Sequence, residues 1–156
     1  MEEMQTSKGH NFVVGLDVAK AKIDVCLRLP TGKLRSKVVP NTPGGHEALV
    51  SWLAKNGCNQ AHVCMGPTGI YHEAVAEHLS DAGFVISIVN AAQVKAYGQA
   101  TGARSKTDTA DAQLIAAYCA AQHPQPWQAP PVSVRILKAL VARRDALVEL
   151  RTQELN

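Results

Sequence analysis

The first half of the chain is a series of apolar runs separated by short polar breaks, a pattern that predicts three strands. Residues 12–18, FVVGLDV, are almost continuously apolar, as expected of a central strand covered on both faces. From Ile23 to Leu29 apolar and polar side chains alternate, which predicts a half-buried strand. After the turn at residues 30–33, a third strand is predicted from Leu34 to Val39, so these segments are expected to form a meander.

In the second half, apolar residues recur at helical spacing between short buried runs. The pattern predicts strands over residues 61–65 and 84–89, and helices over residues 46–55, 71–82 and 108–122. The polar, glycine-containing residues 98–107 are interpreted as a loop. This order of elements predicts an α/β fold with a mixed sheet of about five strands, which matches the ribonuclease H-like architecture.

The same pattern divides the chain into four parts. Residues 1–10 are polar and predicted to be disordered, residues 11–122 form the α/β domain, and residues 123–132 form a proline-rich linker that cannot be helical. Residues 133–156 predict an amphipathic helix whose apolar stripe is still open at the end of the chain. Because a lone amphipathic helix needs a partner, we expect either a coiled coil with a second copy or a fragment of a longer protein.

Composition and charge exclude only a few classes of function. The net charge of +3 permits a nucleic-acid partner without requiring one. The four cysteines show no C-x-x-C spacing, so buried free thiols are favoured over disulfides or a zinc site. The polar N-terminus predicts no signal peptide, and no apolar stretch reaches the roughly 20 residues that a membrane span requires. A cytoplasmic protein is therefore expected.

Three aspartates are the candidate chemical groups of the chain. Asp17 interrupts the apolar run of the first strand, where an ionised carboxylate needs a compensating partner. Asp108 and Asp111 are three residues apart, so they share one helix face at a separation of roughly 5–6 Å. An alternative is that both simply favour the positive end of the helix dipole after an N-cap at Thr107. Together with Asp17, they favour a site for Mg²⁺, which prefers oxygen ligands.

Two basic residues precede this acidic pair. Arg104 and Lys106 could hold a phosphate group beside bound metal ions. An ordinary solvated loop explains the same two charges equally well, so the sequence leaves both interpretations open.

The acidic positions belong to longer motifs. These are V-G-L-D-V-A-K at residues 14–20, P-T-G-I-Y at residues 67–71, V-N at residues 89–90 with V-K at residues 94–95, and K-T-D-T-A-D-A at residues 106–112. Taken together, they resemble the N-terminal domain of the DEDD transposases of the insertion sequence 110 family and the related Piv-type DNA recombinases. The resemblance runs from about Asn11 to the end of the chain, since residues 137–154 look like the start of that family's coiled coil.

The resemblance implies a RuvC-like fold and four acids that bind Mg²⁺, with Mn²⁺ as a substitute, for DNA cleavage and joining in transposition. Asp17, Asp108 and Asp111 match three of the four acids. We expect Thr68 of the P-T-G triplet to contact nucleic acid along with Arg104 and Lys106. The resemblance also implies a later domain with a serine nucleophile, which this sequence does not reach, and a structured guide RNA that pairs donor and target DNA.

At the fourth acidic position the chain departs from the family pattern. That acid normally stands directly before the x-T-G triplet, where this chain has Gly66. Glu73 follows seven residues later and is expected to lie too far into the next helix to replace it. Losing one carboxylate should weaken the binding of a second cation most, because closely spaced cations need every negative charge to offset their repulsion.

The resulting hypothesis is a bacterial, nucleoid-associated transposase domain that is impaired or incomplete and dimerises through its C-terminal helix. Whether it acts as an enzyme stays open. One alternative is a non-catalytic module that only binds nucleic acid or dimerises. Another is an actin-like kinase, whose first strand also carries an aspartate after V-G-x-D, although the further phosphate-binding loops of such kinases are missing from these 156 residues.

Overall fold

Five strands form one mixed sheet in the computed structural model of the protein, which describes residues 12–102, 108–131, 134–137, 139–141 and 143–144. For residues 108–110 only the backbone is described. The strands are β1 (Val13–Val18), β2 (Lys22–Arg28), β3 (Leu34–Pro40), β4 (His62–Met65) and β5 (Val85–Ile88). Their order is β3-β2-β1-β4-β5. β1 pairs antiparallel with β2 and parallel with β4, so the predicted meander and mixed five-stranded sheet are confirmed.

In the part of the chain that the structure describes, four helices cover the sheet, two on each face. They are α1 (Pro43–Lys55), α2 (Glu73–Asp81), α3 (Ala91–Thr101) and α4 (Asp108–Gln122). α1 and α2 bury apolar side chains against one face, on which Leu16 and Val18 lie. α3 and α4 pack on the opposite face, together with Val13, Cys26 and Cys64. The central strand is therefore covered on both sides, as its continuous apolar run predicts.

The helix α1 begins three residues earlier than the apolar pattern predicts. Thr42 is its N-cap, and the Thr42 hydroxyl accepts a hydrogen bond from the amide of Gly45 at 3.0 Å. Pro43 follows at the first turn, where its missing N–H has no cost to the helix. The apolar spacing alone could not locate this start, because the first turn carries glycines instead of core side chains.

The prediction of a loop from residue 98 is wrong for its first residues, since they belong to α3. The side chain of Asn90 caps this helix by accepting hydrogen bonds from the amides of Ala92 and Gln93. Gly102 ends it with a positive φ of 79°, a conformation that glycine adopts without strain. Residues 103–107 of the predicted loop lie outside the described residues. The cap at Asn90 was the missed signal, because the glycine and the polar residues that follow hid the helical spacing.

The prediction that β2 is half-buried is also wrong. Asp24 and Cys26, on the face expected to be polar and solvated, are 4% and 0% exposed. α4 lies over this part of the sheet and covers them. Alternation along a strand reports only the polarity of the two faces, and it cannot show that a later helix covers the polar one.

The cysteines divide into two groups. A disulfide joins Cys64 on β4 to Cys119 on α4, so the prediction of free thiols is wrong for this pair. Cys26 and Cys58 are buried free thiols, as predicted. Burial raises the pKa of Cys58 to about 12, and burial, slightly offset by the charge of Arg28, raises the pKa of Cys26 to about 11.

Residues 123–131, the described part of the proline-rich segment, contain no helix, and they pack against β5. The amide of Trp127 donates a hydrogen bond to the carbonyl of Ile86, and the indole packs against the core of the α1 and α2 side. Residues 134–137, 139–141 and 143–144 are helical, and Ile136, Leu137 and Leu140 are exposed. The predicted disordered residues 1–10, and Leu147 and Leu150 of the predicted apolar stripe, lie outside the described residues. Among the helices that are described, none is both long enough and apolar enough to span a membrane.

Candidate metal and nucleic-acid site

A cleft of about 790 Å³ opens where the carboxyl ends of β1, β4 and β5 meet. Because parallel strands run in the same direction, the loops that follow them lie at the same end of the sheet. Ligands of α/β folds usually bind at this end. The cleft is walled by the ends of these strands, by α3 and by the first half of α4. The lining side chains are Asp17, Val18, Gly66, Pro67, Thr68, Val89, Ala91, Val94, Lys95, Gly98, Gln99, Gly102, Asp111, Leu114 and Ile115.

Asp17 enters the cleft because of the alternation along β1. Its neighbours Leu16 and Val18 point to the face covered by α1 and α2, so Asp17 points to the face covered by α3 and α4. The side chain is half-buried in a strand whose other five residues are buried. Asp17 therefore faces the side of the sheet on which α4 carries Asp111.

Asp111 reaches the same cleft from α4. This helix passes close over β1, since a Cβ atom at Gly15 would overlap the backbone of Ala112 and Ala116. The close approach brings the first turns of α4 over the end of β1, so that Asp17 and Asp111 line one cavity. Asp108 begins the same helix three residues earlier, but its side chain lies outside the description.

Gly66 lies beside Asp17, directly after the neighbouring strand β4. Leu16 pairs with Met65 in the parallel register, so the following residues, Asp17 and Gly66, are neighbours at the strand ends. No described atom lies within 4 Å of a Cβ atom built on Gly66, and its φ is not in the positive region. A side chain could therefore begin at this position, on the lining of the cleft, without a clash at its Cβ atom. Glu73, the first residue of α2, is not among the residues that line the cleft.

The cleft also carries a polar and basic rim. Lys95 and Gln99 of α3 line it, roles that the sequence did not reveal because no helix was predicted over residues 91–101. Thr68 lines the cleft as well, and its amide donates a hydrogen bond to Nδ1 of His72 at 3.2 Å. Arg104 and Lys106, the predicted phosphate contacts, lie outside the described residues.

Asp24 is a further carboxylate near this site that sequence reasoning did not single out. It is the direct antiparallel partner of Asp17 in the β1–β2 register, so both side chains lie on one face of the sheet. It is 4% exposed, forms a 3.3 Å ion pair with Lys22, and is not among the residues lining the cleft. Lys22 therefore compensates the charge of Asp24.

The comparison with protein families decides what kind of domain contains this cleft. A family model described as a transposase, that of the DEDD transposases of insertion sequence 110, matches residues 14–156. The chain belongs to this transposase family. The matched range includes Asp17, Gly66, Asp108 and Asp111, and it favours the transposase interpretation over the kinase alternative.

Two curated relatives of this transposase domain are named as gene-inverting proteins. The pilin gene-inverting proteins of Moraxella bovis and Moraxella lacunata are each 30% identical to it over 147 residues. The alignments cover 90% of this chain and 45% of each relative. The transposase domain thus spans about half the length of the curated relatives it matches.

Solved structures show the same fold. The RuvC protein of T. thermophilus in complex with its Holliday junction substrate superposes with a TM-score of 0.54 at 18% identity, over 76% of this chain and 100% of that chain. A second Thermus thermophilus RuvC structure gives a TM-score of 0.52 at 17% identity, over 74% of this chain and 99% of that chain. The predicted RuvC-like, ribonuclease H-like fold is therefore confirmed.

Proposed function

We propose that this transposase domain binds divalent metal ions in the cleft and acts on DNA strands there, with activity reduced by Gly66. The observation that carries the proposal is the convergence of Asp17 and Asp111 from distant parts of the sequence in one cleft. Their carboxylate oxygens suit Mg²⁺, with Mn²⁺ as a substitute. Bound ions would supply charge stabilisation at the phosphate and an activated nucleophile.

The proposal gives the acidic residues a role in metal binding and the basic and polar residues a role in binding the DNA strand. Asp17 and Asp111, with Asp108 from the same helix, would hold the metal ions at the ends of the strands. Lys95 on the rim would attract the phosphate backbone, which dominates the affinity of proteins for nucleic acids. Thr68 on the opposite wall, with Arg104 and Lys106 upstream of α4, would contact the same strand. The RuvC neighbour bound to a Holliday junction supports DNA as the substrate class.

Metal binding is tested by titrating Mn²⁺ calorimetrically into the wild-type chain and into Asp17→Asn and Asp111→Asn. Each variant should lower the affinity by roughly tenfold or more, because a direct ligand should matter at least as much as the outer partners of a metal site. Glu47→Gln, an exposed position on α1, removes one negative charge outside the cleft and should leave the affinity unchanged. Wild-type affinity in Asp17→Asn would refute the proposed site.

The contribution of Gly66 is tested by Gly66→Glu. The substitution adds a carboxylate where the structure leaves space, so we expect a higher affinity for Mn²⁺, a second bound ion and faster cleavage of branched DNA. Gly44→Glu is the matched control, since it adds the same charge on α1, where a Cβ atom also has room. Equal metal affinity and stoichiometry in wild type and Gly66→Glu would show that Gly66 is not a missing ligand position.

A second candidate function is a non-catalytic module that binds nucleic acid, and Gly66 is the observation that favours it. The same assays separate the two, because this module would retain branched DNA without cutting it, in Mn²⁺, even when Gly66 is replaced by glutamate. A structured guide RNA remains a proposed partner on the strength of the family resemblance. Gel-shift assays with RNA and DNA of matched length would compare the two ligands.

Self-association through the C-terminal helix is the last part of the proposal. Ile136, Leu137 and Leu140 are 56%, 61% and 58% exposed, and they place a large apolar surface on the helical residues after the proline-rich segment. A second copy of the chain could cover this surface. Light scattering after gel filtration should show a dimer for wild type and a monomer for a Leu137→Glu and Leu140→Glu double variant.

A further inference from the structure

A histidine and two cysteines form a second cluster on the same face of the sheet. His62 and Cys64 are two residues apart on β4, so both side chains point to the face covered by α4. Cys119 approaches them from α4. One ligand atom from each of the three residues lies within 4.8 Å of the other two. None of the three lines the acidic cleft.

The surroundings of the cluster suit a bound cation. Cys64 and Cys119 are 0% exposed, whereas His62 is only half-buried and leaves a route to solvent. Two thiolates buried side by side would repel each other, and a divalent cation would cancel both of their charges. Sulfur and imidazole ligands select Zn²⁺ over Mg²⁺, which prefers oxygen.

Ser87 orients the ring of His62. The hydroxyl of Ser87 is fully buried and lies 2.8 Å from the carbonyl of Gln125 and 3.2 Å from the carbonyl of Pro124, both of which can only accept a hydrogen bond. Nε2 of His62 lies 2.6 Å from the same hydroxyl. When the hydroxyl donates its single proton to one of the two carbonyls, Nε2 donates to Ser87 and the lone pair of the imidazole lies on Nδ1. Metal-binding histidines are usually oriented in this way by a hydrogen bond from their other ring nitrogen.

We propose that His62, Cys64 and Cys119 bind Zn²⁺ when the two cysteines are reduced, and that the disulfide and the zinc site are alternative states of this cluster. A dithiol reductant supplies two electrons and two protons, which break the sulfur–sulfur bond and yield two thiols, and the reductant becomes a disulfide. Zn²⁺ then binds both sulfurs as thiolates and their protons pass to solvent. Nδ1 of His62 is the third ligand, and water completes a tetrahedral site.

Either state ties β4 to α4, but by different means. Cys64 stands two residues before Gly66, and Cys119 follows Asp111 by eight residues, or roughly 12 Å along the helix. The cluster thus fastens the two elements that also form opposite walls of the acidic cleft. Reduction without zinc would remove this link while leaving the acidic residues unchanged.

The experiment uses Co²⁺, a spectroscopic substitute for Zn²⁺, with the full chain reduced by a phosphine under nitrogen. The reduced chain should take up one equivalent of Co²⁺ with the ligand-field bands of tetrahedral cobalt and a thiolate-to-cobalt charge-transfer band, and Zn²⁺ should abolish both by displacement. The oxidised chain should show neither. This comparison requires no variant, so it remains decisive if a cysteine variant fails to fold. Absence of the charge-transfer band in the reduced chain overturns the proposal.

Variants assign the band to the cluster. Cys64→Ser and Cys119→Ser should each abolish or shift it, whereas Cys58→Ala, which removes a buried thiol from the other core, should leave it intact. Ser87→Ala should weaken Co²⁺ binding about 10- to 100-fold, with recovery in Ser87→Thr, because the orienting partner of His62 is lost and restored. A band that survives in both cysteine variants overturns the proposal. Asp17→Asn should retain the band, so failure of the acidic site and failure of this one are distinguishable.

Discussion

His46 is 3% exposed in the first turn of α1, and a small network of hydrogen bonds holds it there. The amide nitrogen of Asn41 donates to the carbonyls of Ala19 and Tyr71, so its Oδ1 atom accepts from Nε2 of His46 at 2.8 Å. Asn41 thereby links the turn between β1 and β2 to the P-T-G-I-Y motif at residues 67–71. His78 of α2 lies beside the imidazole, at 5.7 Å between ring centroids.

The charge state of His46 should make folding depend on pH. Burial, and secondarily the nearby His78, lower the pKa of His46 below its ordinary value of 6.5. Below pH 6.5 the unfolded chain therefore binds a proton at His46 that the folded chain does not, so the free energy of unfolding falls as the pH falls through this window. The slope from this one group is at most about 1.4 kcal/mol per pH unit.

Urea unfolding between neutral and mildly acidic pH measures this dependence. His46→Gln keeps an N–H donor for Asn41 without a titrating group, so its stability should fall less steeply with acid than that of wild type. His123→Gln, at an exposed position after α4, should follow the wild-type slope. Identical slopes for wild type and His46→Gln would rule out His46 as the source.

The sequence predicted some of the acidic and basic residues at the cleft and missed others. Asp17 was predictable because a carboxylate in an apolar strand is conspicuous, and Asp111 because it shares a helical motif with Asp108. Lys95 belongs to one of the family motifs, but its role could not be predicted, because residues 91–101 were not predicted as the helix that carries it to the cleft. Asp24 was hidden for a related reason, because its burial depends on α4, which comes 84 residues later in the chain.

At the scale of elements, the contact between β1 and α4 determines the site. α4 contributes Asp111 to the cleft and Cys119 to the disulfide, so its position over the sheet affects both. Gly15 allows the helix backbone to lie directly on the strand. The sequence predicted both elements from their apolar patterns, but their close approach was not predictable, since glycine in a strand has several possible causes.

Gly15→Ala should therefore destabilise the fold. The added methyl group would overlap backbone atoms of Ala112 and Ala116, which cannot rotate away as a side chain can. Overpacking of this kind typically costs about 1–3 kcal/mol, and the displaced helix should also weaken Mn²⁺ binding. Urea unfolding and calorimetry measure the two effects. Gly44→Ala, on α1 with room for a methyl group, is the control, and wild-type stability in Gly15→Ala would contradict the close contact.

At the scale of the whole molecule, the sheet connects distant parts of the sequence, and the disulfide adds a covalent link between two of them. Cys64 and Cys119 are separated by 55 residues, so the bond closes a long loop across β5 and α3. The element order predicted the sheet, but no spacing rule connects two cysteines so far apart. Only the packing of α4 on β4 brings their sulfur atoms together.

Reduction of this disulfide should lower the stability of the domain when zinc is excluded by a chelator. Closing a loop of this length stabilises a fold by about 4 kcal/mol at most in the chain-entropy model. We expect the urea midpoint of the wild-type chain to fall on reduction. The double variant Cys64→Ala and Cys119→Ala should not respond to the reductant, and an unchanged midpoint in wild type would mean that the bond does not constrain the unfolded chain.

The segment that follows α4 also affects whether copies of the protein associate at high concentration. An unpaired outer strand offers its backbone as a template on which another molecule can add a strand. Here the amide of Trp127 already donates to the carbonyl of Ile86 on β5, so the chain itself takes up one of the acceptors of that edge. At the other border, β3 presents the charges of Arg35 and Lys37 and ends in Pro40, which discourage such addition. Crowded copies should therefore resist polymerising into fibrils through their sheets.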